Sequence, residues 1–433
     1  MSSPSVVRDV LRRSFWFLPA LALAAGLGLG FLMPFLDSET GVDLGLFPIE
    51  ELSNARSVLE TVATVTVSVA GIIFSVTVVA LTLASQQLSP RVLRTFQANR
   101  LAQGTLAVFV GTFAYALIVL TRLGATGEVP QLSMALAIGA AVAAFGLFVA
   151  FIHDIVESLQ ASTLIRRIAA DGQSSVALDH PRGIGGEPDN PAAAERRVAE
   201  LVKASTPHPG RAPRAGFVVS VDGEALIEAA REHDGIVVQR TPLGDFAVTG
   251  ALLVEVWAPE GAERLAEAAV ETFALSGERT IVQDIAFPVR QLADIALRGL
   301  SPSLNDPTTA ENAMDSLADT LVRFAARPVP SNVRLDEDGA PRYVALTADL
   351  DDLVRLGFDQ VRVKCAEYPV VAVQLLRLLA EIARAAREAG VACEEVGRQA
   401  RLLREGASGA LPAQADEDAV AEAYGRPHAG RRQ

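Results

Sequence analysis

With 433 residues, 50% hydrophobic and 21% charged, the chain exceeds one ordinary domain, and its mean hydropathy of +0.30 averages two unlike parts. Residues 1–154 hold eight Arg, no Lys and nine Asp or Glu; residues 155–433 hold the other 30 basic and 42 acidic side chains, and with them most of the net charge of -13. Affinity for a phosphate backbone needs clustered Lys and Arg, and Lys occurs only at Lys203 and Lys364, so nucleic acid is excluded as a partner.

Four apolar runs are long enough to cross a hydrocarbon layer, which takes about 20 helical residues: Ser14–Phe35, Thr61–Ala84, Leu101–Thr121 and Pro130–Ile152. The first follows Arg8, Arg12 and Arg13 as a signal peptide would, but it outlasts the ~7–15 residues of such a segment, and Trp16 suits an interfacial anchor, so it reads as a retained span. Basic residues remain preferentially on the cytoplasmic side. Arg8, Arg12 and Arg13, then Arg91, Arg94 and Arg100, then Arg166 and Arg167 mark alternate connections as inside, whereas the other two carry only Arg56 and Arg122. The expected topology is four spans with both termini cytosolic, in a bacterial inner membrane. No ionisable side chain sits deep within a run, which argues against an ion-coupled carrier. Gly26-x-x-x-Gly30, Gly139 and Gly146 read as points of close helix packing.

The second run is amphipathic within the membrane. Of its eight hydroxyl residues, Thr61, Thr64, Ser68, Ser75, Thr82 and Ser85 share a sector of about 120° with Gly71, and Glu60 stands at its outer end; Thr66 and Thr77 lie opposite. Two readings remain open: helix association through small and hydrogen-bonding side chains, or the lining of a polar path. A carboxylate at its mouth would concentrate cations.

Behind the spans, 155–213 is expected to be an amphipathic helix, through Ile155, Leu159, Leu164 and Ile165, followed by a Pro/Gly-rich linker carrying a short helix at Ala192–Ala204. A small α/β unit at 214–278 follows: strand Gly216–Val221, helix Gly223–His233, strands Ile236–Arg240 and Gly250–Trp257, and helix Glu260–Ser276. Residues 279–406 read as mainly helical, with one strand at Arg342–Leu346 and a helix break near Tyr368-Pro369, and 407–433 as disordered. Within the helical part, Asp306 before Pro307 has the form of an N-cap with proline at N1, and Thr308 with Glu311 that of a capping box. Ser301 and Asn305 are less well explained by a helix start, which leaves room for an anion or carbonyl site in that loop. Cys365 and Cys393 have no CxxC spacing, and the five scattered histidines include no pair suited to a metal. The expected fold class is therefore membrane α-helical with four transmembrane helices, plus a cytosolic α/β to mainly helical domain, with no cofactor.

Three stretches stand out: Gly71 to Leu81 running into Ala84-Ser85-Gln86-Gln87-Leu88-Ser89-Pro90-Arg91-Val92-Leu93; Thr280-Ile281-Val282-Gln283-Asp284; and Asp294 to Ala310, which contains Ser301-Pro302-Ser303-Leu304-Asn305-Asp306-Pro307-Thr308. Together they resemble a bacterial family of predicted membrane proteins, domain of unknown function 2254. Gly299 stands where such proteins often have Ala. The resemblance implies membrane location and architecture and carries no activity.

Three functions fit these features. One is an ion channel or pore, assembled from several copies because four helices with one striped face cannot enclose a wide path, lined by Glu60, Thr61, Thr64, Ser68, Gly71, Ser75, Thr82 and Ser85 and gated by the cytosolic domain. Another is a membrane-anchored sensor or enzyme using Gln283, Asp284 and the loop residues Ser301, Asn305, Asp306, Pro307 and Thr308. The third is a non-conducting scaffold. No nucleophile-with-base arrangement, metal spacing or P-loop supports catalysis. The expected partners are the lipid bilayer, further copies of the chain and an inorganic ion.

Overall fold

A computed structural model describes residues 16–40, 51–87, 100–123, 129–158, 160–177, 181, 183–204, 206–280, 283–327, 330–411 and 413–425. Two compact units divide the chain between Leu164 and Ile165. Arg8, Arg12, Arg13, Arg91 and Arg94, on which the expected orientation rests, lie outside the described residues.

Among the described residues the first unit has four helices: α1 (Phe17–Thr40), α2 (Leu52–Gln87), α3 (Arg100–Arg122) and α4 (Gln131–Ser158). All four are long and apolar enough to span a membrane. The span of α3 is half buried, against 17% for each of the others, and α1, α2 and α4 all pack on it. Small residues permit this. A Cβ on Gly26 would overlap the Gly111 carbonyl oxygen, and one on Gly30 would stand 2.6 Å from Ile118 Cβ, so α1 approaches α3 backbone to backbone. Gly139 and Gly146 behave otherwise: nothing lies within 4 Å of a Cβ built on either, so they mark no close packing among the described residues. At the end of α1, Asp37 accepts from the backbone N–H groups of Leu132 and Ser133 at 2.8 and 3.0 Å and from the Ser133 hydroxyl at 2.5 Å. This carboxylate, beyond the expected end of the first span, thus satisfies orphan donors at the start of α4, where the helix dipole favours negative charge. Tyr115 of α3 joins the cluster by donating to the Ser133 carbonyl.

The division falls within α5 (Ala161–Ala177), whose Ile165, Ile168 and Ala169 are buried and whose Gln173 donates to Asp319. After α6 (Pro191–Ala204) come β1 (His208–Arg211), β2 (Gly216–Val221), α7 (Gly223–Glu232), β3 (Ile236–Gln239), β4 (Phe246–Ala247), β5 (Leu252–Trp257), α8 (Ala262–Glu271) and β6 (Phe273–Ser276). The helical stretch is α9 (Ala286–Gly299) and α10 (Pro307–Ala325), the hairpin β7 (Val333–Leu335) and β8 (Pro341–Val344), then α11 (Leu350–Cys365), α12 (Pro369–Glu388), α13 (Glu395–Ala407) and α14 (Gln414–Gly425). Five strands form one sheet in the order β1-β5-β3-β8-β7, antiparallel except for β3 beside β8; β4-β2-β6 form a second, antiparallel sheet. Val237 of β3 enters a core with Leu226, Leu253 and Leu265, while Ile236 and Val238 on the other face meet Val198 of α6, Trp257 and Val333. Such two-sided burial produces a continuous apolar run.

Several expectations are corrected here. Residue 279 does not separate an α/β unit from a helical one, because β8 hydrogen-bonds to β3. The helix expected to reach Ser276 stops at Glu271, and Phe273–Ser276 pair with β2; Phe273 and Leu275 are buried at alternate positions, the period of a strand. The linker contains β1, and its Gly186 bridges to Leu335 while Ile184 is buried in the core. The tail expected to be disordered includes α14, which buries Val420 and packs on α12 and α13.

Candidate functional site

The exposed side of α2 carries Glu60, Thr61, Thr64, Ser68, Gly71, Ser75 and Thr82, whereas Thr66 is 2% exposed and Thr77 half-buried on the side facing the bundle. Among the described residues the hydroxyl stripe is therefore not packed against the bundle, and nothing lies within 4 Å of a Cβ built on Gly71. Ser85 lies in α2, but its side chain is outside the described residues. Thr61, Ser68 and Thr82 donate to the carbonyls of Ser57, Thr64 and Val78, four residues back, at 2.7–2.8 Å. Thr66 and Thr77 do the same on the other side. Hydroxyls on both faces thus bond back to their own helix, and the faces differ in what they meet. Glu60 pairs with Arg56 at 3.0 Å in an exposed i,i+4 bridge, so the carboxylate expected at a mouth is accompanied by its own counter-charge.

The second candidate lies in the downstream unit. Asp284, 3% exposed, accepts from Arg279 Nε and Nη2 at 2.9 and 2.7 Å through Oδ2, and from the Phe287 backbone N–H at 3.2 Å through Oδ1. It thus bonds to the first turn of α9 while its buried carboxylate is paired with a partly exposed arginine. Burial raises its carboxyl above the usual carboxylate range, against the opposing pull of the Arg279 guanidinium and the helix N–H groups. The guanidinium also stands over an aromatic face, its Cζ being 5.4 Å from the Phe287 ring centroid. Gln283 accepts from Val221 N–H at 2.9 Å and donates to its carbonyl at 3.3 Å, tying the motif to the end of β2. Ile281 and Val282 lie outside the described residues. The pair lines a cavity of about 360 Å³ with Pro242, Leu243 and Asp245 from the β3–β4 connection, Leu346, Thr347 and Ala348 after β8, and Asp352, Leu353 and Leu356 of α11.

Two further residues, Arg279 and Gly244, take part in the site. Arg279 directly precedes the Thr280-to-Asp284 motif and is outside it. Gly244 has φ +84, and a Cβ there would overlap both Asp284 Oδ2 and Arg279 Nη2. A glycine in a turn is commonplace; its closeness to a residue forty positions away is a property of the fold.

Ser301, Asn305 and Asp306 do not join this site. They follow the C-terminus of α9, a helix of 14 residues, or about 20 Å, from Asp284 at its start. The cluster expected to combine Asp284 with Asn305 and Asp306 is thereby dissolved. The loop folds on itself: Asn305 N–H donates to the Ser301 carbonyl, Asp306 N–H to that of Gly299, and the Ser301 hydroxyl to that of Arg298. Asn305 adopts φ +46 and accepts weakly from Tyr368 at 3.4 Å. Asp306 is the N-cap of α10, accepting from Thr309 N–H at 3.1 Å and the Thr309 hydroxyl at 2.6 Å, with Pro307 following at N1. Thr308 consequently lies inside the helix rather than at a cap, so the expected Thr308–Glu311 box does not form the start. Among the described residues, no group of three His, Cys, Asp or Glu is placed to hold a metal ion.

Residues 12–381 match the family model described as Predicted membrane protein (DUF2254). The uncharacterized proteins Mb1321c of Mycobacterium bovis and Rv1290c of Mycobacterium tuberculosis are each 29% identical to the chain over 394 residues, covering 87% of it and 73% of the relative. No solved structure matches significantly. The match spans most of the chain, including all four apolar helices, and the chain belongs to the DUF2254 family of predicted membrane proteins.

Proposed function

We propose that several copies of the chain assemble in the bilayer with the hydroxyl face of α2 turned to a shared polar path for an inorganic ion, opened and closed by the downstream domain. One observation supports this most: Thr61, Thr64, Ser68, Gly71, Ser75 and Thr82 are exposed on the single chain, while Thr66 is buried. A polar stripe without a role inside the bundle is available to line an assembled path. The expected inner-membrane orientation, with both termini and the domain cytosolic, accompanies the proposal on the strength of the arginine distribution.

The test uses the two faces of α2 as mutual controls. In liposomes containing the purified protein, Ser75→Leu reduces ion flux by placing an apolar group on the path, and Thr77→Leu leaves flux unchanged. Absence of flux from the unsubstituted protein, or equal effects of both substitutions, rejects the pore. A second reading, a membrane-anchored sensor of a small ligand, is favoured by the cavity beside the buried Arg279–Asp284 pair, whose volume of about 360 Å³ falls in the range of ligand pockets. The two readings are compatible, since a ligand in that cavity could act as the gating signal.

A further inference from the structure

The β4-β2-β6 sheet has apolar residues on both faces. Val218, Ala247, Phe273 and Leu275 are buried beneath it. On the other face Phe246 and Val248 are 54% and 60% exposed, and Phe217 meets Phe246 edge to face at 5.1 Å. An antiparallel sheet with one face in water ordinarily alternates apolar with polar side chains. This one presents an aromatic pair and a valine instead. Beside them Arg211 donates to the Gly250 carbonyl at 3.0 Å, which holds its guanidinium at the turn after Val248, and Arg214 donates to the Leu275 carbonyl of β6. Both arginines are exposed, and neither forms an ion pair with the described residues, although acidic side chains outnumber basic ones in this half of the chain.

We propose that this face rests on the lipid surface, with Phe246 and Val248 in the interfacial layer and Arg211 and Arg214 against headgroup phosphates. Exposed aromatic and aliphatic groups rimmed by arginine have the chemistry of an interfacial contact. Four spans tether the domain to its bilayer, so the surface is present at high effective concentration. A two-fold contact between the same faces of two copies would instead bring their arginines together. Charge complementarity favours phosphate. The inference does not depend on conduction.

The test uses full-length protein in lipid nanodiscs, with Cys393→Ser to remove the more accessible thiol, and a bimane fluorophore attached at Val248→Cys or, separately, at Val370→Cys. Val370 is also apolar and is 72% exposed, on α12, so exposure alone predicts the same behaviour at both positions. Spin-labelled lipid in phosphatidylglycerol-containing discs should quench the fluorophore at position 248 and leave that at 370 bright. Arg211→Glu with Arg214→Glu should cut the quenching by about half or more, with the Trp257 melting transition unchanged. Equal quenching at both positions overturns the proposal. So does absence of quenching at position 248, including the case where fluorophores on two copies approach each other instead. Full retention of quenching in the double arginine variant overturns the phosphate contact.

Discussion

Gly244→Ala tests whether the Arg279–Asp284 pair is held by a backbone that admits no side chain. Gly250 supplies the control, because its φ of +81 nearly equals the +84 of Gly244, yet nothing lies within 4 Å of a Cβ built there. Gly250→Ala should therefore cost only the conformational penalty of an L residue at positive φ, about 1–2 kcal/mol. Gly244→Ala adds overlap with Asp284 Oδ2 and Arg279 Nη2, with Arg279 Cζ at 2.9 Å. If the pair separates, an uncompensated buried charge costs a further ~3–5 kcal/mol. For a unit of this size each kcal/mol lowers the melting temperature by roughly 2–4 °C, so Gly244→Ala should melt some 6 °C or more below Gly250→Ala. Fluorescence of Trp257 follows the transition, with Trp16→Phe removing the signal of the membrane unit; the chain has two tryptophans. Equal melting temperatures for the two variants would refute the steric account.

Three further outcomes are expected. Asp306→Ala should destabilise the downstream unit by about 0.5–2 kcal/mol while Asp306→Asn stays near the unsubstituted protein, measured by the same Trp257 melts. Asp37→Ala should lower the melting temperature of the detergent-solubilised membrane unit, since three hydrogen bonds at the start of α4 lose their acceptor, whereas the exposed Glu60→Ala should change it little. Burial opposes ionisation of Asp336, but the ion pair with Arg342 and the N–H groups of Ala340 and Asp338 outweigh it and hold the carboxyl below its usual range. The unfolded chain then takes up this proton at a higher pH than the folded one, so the stabilisation is complete above the ordinary carboxylate range and disappears as pH falls through the depressed value. Acid titration of stability should be less steep in Asp336→Asn.

Length and hydrophobicity alone determined the four spans, because a helix in lipid must satisfy its backbone internally and needs a fixed length to cross. The Asp306-Pro307 helix start, the break at Tyr368-Pro369 and the stripe of α2 were legible for the same reason: each follows from contacts within a few residues or from helical period. Pairings between distant residues were not. β8 beside β3, β6 at the end of what looked like a helix, and Asp37 capping a helix nearly a hundred residues later depend on which segments the fold brings together. The separation of Asp284 from Asn305 and Asp306 belongs to this class too, since two motifs close in sequence lie at opposite ends of one rigid helix, while Gly244, forty residues from Asp284, touches it. Local chemistry wrote the elements into the chain; only tertiary packing decided which of their polar groups would meet.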